Sequence, residues 1–173
     1  MLFQCDALLG DCYERTLLVV ADGVPLQWAA RLLGTPLRGR VNGTDLMEAR
    51  CARAAEGGPR VYLLGGREGA ATAAVACPRA RHPTLNVCGT HCPPFGFEFE
   101  PIEHSRILAS IRAARPHILF VGLGAPKQEY WMSRNTQALA VPVALGIGAS
   151  FEFVGGVVAR APGWMQRSGL EWL

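Results

Sequence analysis

Apolar positions along the chain fall into two patterns: short unbroken runs followed by glycine turns, and longer stretches where they recur at helical spacing. The clearest run is 118–121 (Ile-Leu-Phe-Val), which reads as a strand buried on both faces of a parallel sheet. A turn with Gly122 and Gly124 follows. Pro126 then suits the first position of a helix whose first turn holds Lys127, Gln128 and Glu129. Residues 16–21 (Thr-Leu-Leu-Val-Val-Ala), 60–64, 84–88 and 141–145 read as four further strands. Residues 24–33 read as a helix on Val24, Trp28 and Leu32, stopped by Gly34. A second helix over 45–56 carries Met47, Cys51 and Ala54 on one face and ends at Gly57-Gly58-Pro59. An Ala-rich helix after Gly69 reaches about Ala76, and another ends near Leu139. The best punctuated helix is 101–115. It has Glu103 in its first turn, an apolar stripe of Ile107, Leu108, Ile111 and Ala114, and Arg112 and Arg115 before Pro116.

Strands alternate with helices and no hairpin signal interrupts them. The expectation is an α/β fold, a doubly wound, Rossmann-like parallel sheet with helices on both faces, in a single domain over 1–173. In such a sheet the glycine turns after the strands share one rim. Gly65 and Gly66, Gly122 and Gly124, and Gly146 and Gly148 would lie there, with Asp22 at the carboxyl end of the 16–21 strand. Backbone N–H groups and helix dipoles at that rim favour an anion, so a phosphate-bearing substrate is one reading and a plain tight turn the other. The dinucleotide pattern G-x-G-x-x-G is incomplete and no acidic residue follows at ribose spacing, which argues against NAD.

Composition narrows the classes further. Half of the 173 residues are apolar and 18% are charged, as in a globular protein that needs no disulfide or metal staple. The net charge is +3, and Lys127 is the only lysine among 17 basic residues. No basic run interleaves with aromatics, which argues against nucleic acid. Six cysteines lack paired spacing and no signal peptide is evident, so free thiols in a reducing cytoplasm are expected. Cys88, His91 and Cys92 make a weak metal pattern, and no metal is expected. No apolar run reaches the roughly 20 residues that span a bilayer.

Five ordered motifs then carry a resemblance. They are Asp22-Gly23-Val24 after an apolar run; Arg40-Val-Asn42-Gly-Thr44-Asp45-Leu-Met47; Leu63-Leu-Gly65-Gly66 with Gly69; Pro116 through Glu129; and Gly146-Ile-Gly148-Ala-Ser-Phe-Glu-Phe with Gly155 and Arg160 through Trp172. Together they resemble the WecG/TagA/CpsF glycosyltransferases over nearly the whole chain. The resemblance implies an inverting, metal-independent hexosyltransferase with no cofactor. It would move an N-acetylmannosamine-type sugar from a UDP-sugar to a polyprenyl-diphosphate-linked saccharide for surface polysaccharide or teichoic-acid-type polymers. The site implied has Asp22 as general base, with Asn42, Asp45, Gln128, Glu129 and the rim glycines holding substrate. A base fixed and partly desolvated at a strand end would suit that step. Asp22, Asn42, Thr44 and Asp45 also read as helix-capping residues, and Arg160, Trp164, Arg167 and Trp172 as a packed surface helix or a binding face.

The family's Thr-x-Asn strand before the aspartate, and its tail beyond Leu-Glu-Trp-Leu, are not found. The expectation is therefore a domain shortened at both ends, with an uncovered sheet edge or apolar face. The location implied is cytoplasmic, with peripheral contact at the inner membrane face and a homo-oligomer both left open. The alternative is a catalytically silent homologue that binds nucleotide or a partner chain.

Overall fold

A computed structural model of the chain describes residues 6–67, 69–162 and 165. Trp164, Arg167 and Trp172 lie outside the described residues. In chain order the elements are α1 (Ala7–Glu14), α2 (Val24–Leu32), α3 (Gly43–Gly57), β1 (Val61–Gly65), α4 (Ala70–Arg81), β2 (Val87–His91), a 3-10 turn (Phe97–Phe99), α5 (Pro101–Ala114), β3 (Ile118–Gly122), α6 (Lys127–Leu139), β4 (Val143–Gly146) and α7 (Ser150–Val154).

The four strands form one sheet in the order β2-β1-β3-β4, and every pair is parallel. Successive side chains of a strand face opposite ways, so each central strand feeds two cores. Val61, Leu63 and Phe120 pack with Met47, Cys51 and Ala54 of α3, Ala70 and Ala74 of α4, and Phe151 and Val154 of α7. Tyr62, Leu64, Leu119 and Val121 pack on the other face with Ile107 and Ile111 of α5 and Trp131 and Leu139 of α6. Helices thus cover both faces, as the alternating pattern requires. The stripes read from the sequence for α3 and α5 are the ones buried: Met47, Cys51 and Ala54 in α3, and Ile107 and Ile111 in α5.

Several boundaries differ from expectation. The largest difference is at 16–21, where no strand forms. Leu17 is 102% exposed and Leu18 73%, and the segment is held at one end by Val41 N–H donating to the Ala21 carbonyl at 2.9 Å. A strand needs a neighbour's hydrogen-bonding edge and a face to bury. The sheet ends at β4 instead, whose Val143 is 45% exposed. Asp22 accordingly ends an exposed segment, not a strand, and leads into α2, which has no buried residue.

β2 runs over Val87–His91, three residues later than its apolarity indicates. Its register is set by Val61 against Val87 and Tyr62 against Gly89, with an irregularity between them, and the Tyr62 ring fills the space where a Gly89 side chain would stand. α4 continues through Pro78 to Arg81; that proline gives up one helix hydrogen bond but lies on the buried face. Pro126 lies in the turn before α6, which begins at Lys127.

Candidate functional site

The chain steps from β1 outward to β2, then back across β1 to β3, so the order reverses between β1 and β3. The loops leaving those two strands diverge there, and a crevice at their carboxyl ends follows from the topology. A cleft of about 830 Å³ occupies that position, a volume in the range of small-ligand sites. The turns after all four strands reach it, through Gly66, Cys92, Gly124 and Gly148 among others.

The glycines there serve close backbone approach. Gly65 and Gly122 face each other across β1 and β3, and a side chain on Gly65 would run into the Gly122 carbonyl. A Cβ on Gly122 would meet the Phe151 ring at 2.7 Å and the Gly148 carbonyl at 2.9 Å. Gly66 N–H donates to the Gly122 carbonyl at 2.8 Å, which joins the two turns at a φ of 80° that suits glycine. Gly124 and Gly148 also have positive φ, with open space at their Cβ positions.

Gln128 is 7% exposed and acts as a clamp. Its Oε1 accepts from Gly148 N–H at 3.0 Å, and its Nε2 donates to Glu129 Oε1 at 2.9 Å. A Cβ on Gly146 would crowd this amide at 3.1 Å. The N–H groups of Gly66 and Gly148 are thus engaged within the protein. Glu129 is turned toward α1, where its charge, after burial, helps push the Tyr13 hydroxyl pKa up. Asn42 caps α3: its Oδ1 accepts from Thr44 N–H at 2.8 Å and Asp45 N–H at 3.3 Å. That helix end abuts the rim, since a Cβ on Gly43 would meet the Ile147 carbonyl at 2.9 Å. Asp45 is exposed, and its Oδ1 pairs with Arg160 Nη1 at 2.8 Å. Asp22 is exposed and outside the cleft lining; Ala21, one residue before it, is hydrogen-bonded to Val41, one residue before Asn42.

Of the charged residues that line the cleft, Arg67, Glu152 and Lys127, none is among the site residues the sequence indicates. Glu152, in the first turn of α7, is 8% exposed. Its Oε1 accepts from Arg67 N–H at 3.3 Å, and its buried Oε2 has no hydrogen-bond partner among the described residues. A buried carboxylate oxygen left unpaired is costly and suits a donor such as a sugar hydroxyl. Lys127 opens α6; its Nζ pairs with Glu98 Oε1 at 2.7 Å and stands 5.1 Å from the centre of the Phe95 ring. Burial pushes the Glu98 carboxyl pKa up, but the Lys127 hydrogen bond and charge outweigh it and hold the group below its ordinary value. The signal for both was a charge one turn beyond a glycine turn that follows an apolar run.

Cys88, His91 and Cys92 face three separate partners: the Val61 carbonyl, Glu103 and the Gly66 carbonyl. Among the described residues no three His, Cys, Asp or Glu gather as a metal site, and no helix is long and apolar enough to cross a membrane.

The model of the "Glycosyl transferase WecG/TagA/CpsF family" matches residues 1–173. N-acetylglucosaminyldiphosphoundecaprenol N-acetyl-beta-D-mannosaminyltransferases of Staphylococcus aureus strains NCTC 8325 / PS 47 and COL are 29% identical over 155 residues, and that of strain MRSA252 is equally similar. The match covers 90% of this chain and 59% of each relative.

Proposed function

The chain belongs to the WecG/TagA/CpsF glycosyltransferase family, and from that premise we propose that it transfers an N-acetylmannosamine-type hexose from a UDP-sugar to a polyprenyl-diphosphate-linked saccharide. The observation that carries the reading is the cleft at the β1–β3 reversal, where a lysine at a helix N-terminus faces the same space as a buried carboxylate with one unpartnered oxygen. A nucleoside diphosphate sugar has both complements, an anionic diphosphate and hydroxyl donors. The relatives' names describe enzymes acting on an undecaprenyl-diphosphate-linked acceptor, which supports a lipid-linked acceptor and work at the inner face of the cytoplasmic membrane.

In this reading the acceptor hydroxyl oxygen attacks the anomeric carbon from the face opposite the diphosphate. The bond from that carbon to the diphosphate oxygen breaks with its electron pair, leaving UDP, and the configuration inverts. The hydroxyl proton passes to Asp22 as general base. The leaving diphosphate is met by Lys127 and the α6 N-terminus, a preorganised positive field that needs no metal. Gln128 and Asn42 hold the rim turns and helix end around the substrate. This role requires the 15–23 segment, which is tied next to Asn42 through Ala21 and Val41, to bring Asp22 to the acceptor.

The test has two stages. UDP titrated calorimetrically in EDTA should bind. Transfer from UDP-N-acetylmannosamine to a polyprenyl-diphosphate-N-acetylglucosamine, read by mass spectrometry, should be lost in Asp22→Asn while UDP binding stays within about twofold, because a general base contributes roughly a hundredfold or more to rate but little to ground-state binding. Full activity in Asp22→Asn removes the base assignment. The exposed apolar run Leu17 to Val20 and the uncovered α2 favour a second reading, a catalytically silent homologue that binds nucleotide or a partner chain; it gives UDP binding, or self-association, without turnover from any donor.

A further inference from the structure

The ion pair between Lys127 and Glu98 holds a cation that is poorly placed for stability alone. Lys127 is the first residue of α6, the helix end that repels a cation and attracts an anion. Its partner Glu98 comes from the 3-10 turn of the β2–α5 connection. The side chains are 32% and 27% exposed, so the pair is partly withdrawn from water. The Phe95 ring at 5.1 Å and the Phe97 ring at 6.0 Å flank the ammonium. Phe97 is buried, whereas Phe95 is 101% exposed, so this connection has a packed base and an unpacked tip.

We propose that Lys127 binds the diphosphate in the cleft and that Glu98 is its built-in competitor. The inference deepens the sugar-nucleotide reading above and rests on it. The helix N-terminus and the lysine together favour an anion more strongly than either alone, and Glu98 meets that preference from within the chain. An incoming diphosphate offers more oxygens than one carboxylate and lies nearer the helix end, so it takes the ammonium from Glu98. Glu98 then turns to solvent and its hold on the β2–α5 connection is released. The competition lowers affinity, which favours release of the nucleotide product.

The test is calorimetric titration of UDP into the wild-type chain and the variants Glu98→Gln, Lys127→Gln and the double variant, at low ionic strength with EDTA, each first checked by thermal melting. Glu98→Gln should bind UDP tighter, by up to about fivefold, the equivalent of removing one partly exposed ion pair. Lys127→Gln should bind roughly tenfold or more weaker, and the double variant no tighter than Lys127→Gln. Lys127→Arg, which keeps the charge, should retain measurable binding. A Glu98→Gln affinity at or below wild type, or a double variant that keeps the gain, overturns the proposal. If the wild-type chain binds no UDP, the nucleotide reading falls and the same variants are titrated with inorganic pyrophosphate. The same order of affinities upholds the competition, and no binding of pyrophosphate ends it.

Discussion

Two runs of this chain have almost the same composition and opposite fates. Residues 118–122 (Ile-Leu-Phe-Val-Gly) form the central strand β3, with Leu119, Phe120 and Val121 at 0% exposure. Residues 16–21 (Thr-Leu-Leu-Val-Val-Ala) are as apolar and as β-branched, yet they stand in solvent. β3 has β1 on one side, β4 on the other, and a helix layer on each face. The 16–21 run has one backbone hydrogen bond to Val41 and the uncovered α2 after it. Apolarity gives a segment a reason to be buried; only neighbours make burial available.

The comparison can be broken most directly by truncation. Phe120→Ala should cost about 3–5 kcal/mol in denaturant unfolding, since a buried ring leaves a cavity. Leu18→Ala should stay within about 0.5 kcal/mol, as at an ordinary exposed site. Equal losses at the two positions would mean that 16–21 is covered in solution, by a second copy or another segment, and the contrast would vanish.

A smaller effect separates the glycines of the two regions. Gly122→Ala forces a Cβ against Phe151 and the Gly148 carbonyl, and should cost about 1–3 kcal/mol by overpacking. Gly39, in the exposed N-terminal part, has nothing within 4 Å of its Cβ position, and Gly39→Ala should be close to neutral. A neutral Gly122→Ala in the same unfolding series would show that the rim is looser than described.

The smallest effect concerns how the N-terminal part is attached. Asp6 caps α1 through Leu9 N–H at 3.1 Å and also accepts the Tyr130 hydroxyl of α6. That hydroxyl, with the Leu9 N–H, holds the Asp6 pKa below its ordinary value, so the contribution is present above the unfolded carboxylate pKa and fades as pH falls through the folded one. The Tyr130 pKa is pushed up to about 12, chiefly by the hydrogen bond to Asp6, so its contribution is present below the unfolded tyrosine value and fades as pH rises toward 12. Hydrogen exchange of α1 amides should therefore be slowest between about pH 4 and pH 10, after correction for intrinsic rates. Tyr130→Phe should flatten that profile, and an unchanged profile would remove the contact from the attachment.

Much of the sheet was legible because its signal is local. β1, β3, α3 and α5 follow from runs and stripes whose burial any parallel α/β arrangement would satisfy. β2 was misplaced because an edge strand paired only with β1 carries Gly89, Thr90 and His91, which apolarity does not flag. The rim glycines were legible as turns, but not the clamp by which Gln128 takes up the Gly148 N–H, since its two ends are 20 residues apart. Glu152 and Lys127 were visible as charges near glycine turns. What distinguishes them, an unpartnered buried oxygen in one and a cross-loop ion pair in the other, exists only after α7 and the β2–α5 connection meet the same cleft.

Local pattern sets the α/β class, the strands β1 and β3 with the helices α3 and α5, and the family, because strand and helix periods and ordered motifs are properties of neighbouring residues. The tertiary structure alone decided which apolar runs become strands and which residues face the cleft. Burial and pairing are set by what lies across the sheet, and residues such as Glu98 and Lys127, or Arg67 and Glu152, meet only when turns distant in sequence gather at one rim of the sheet.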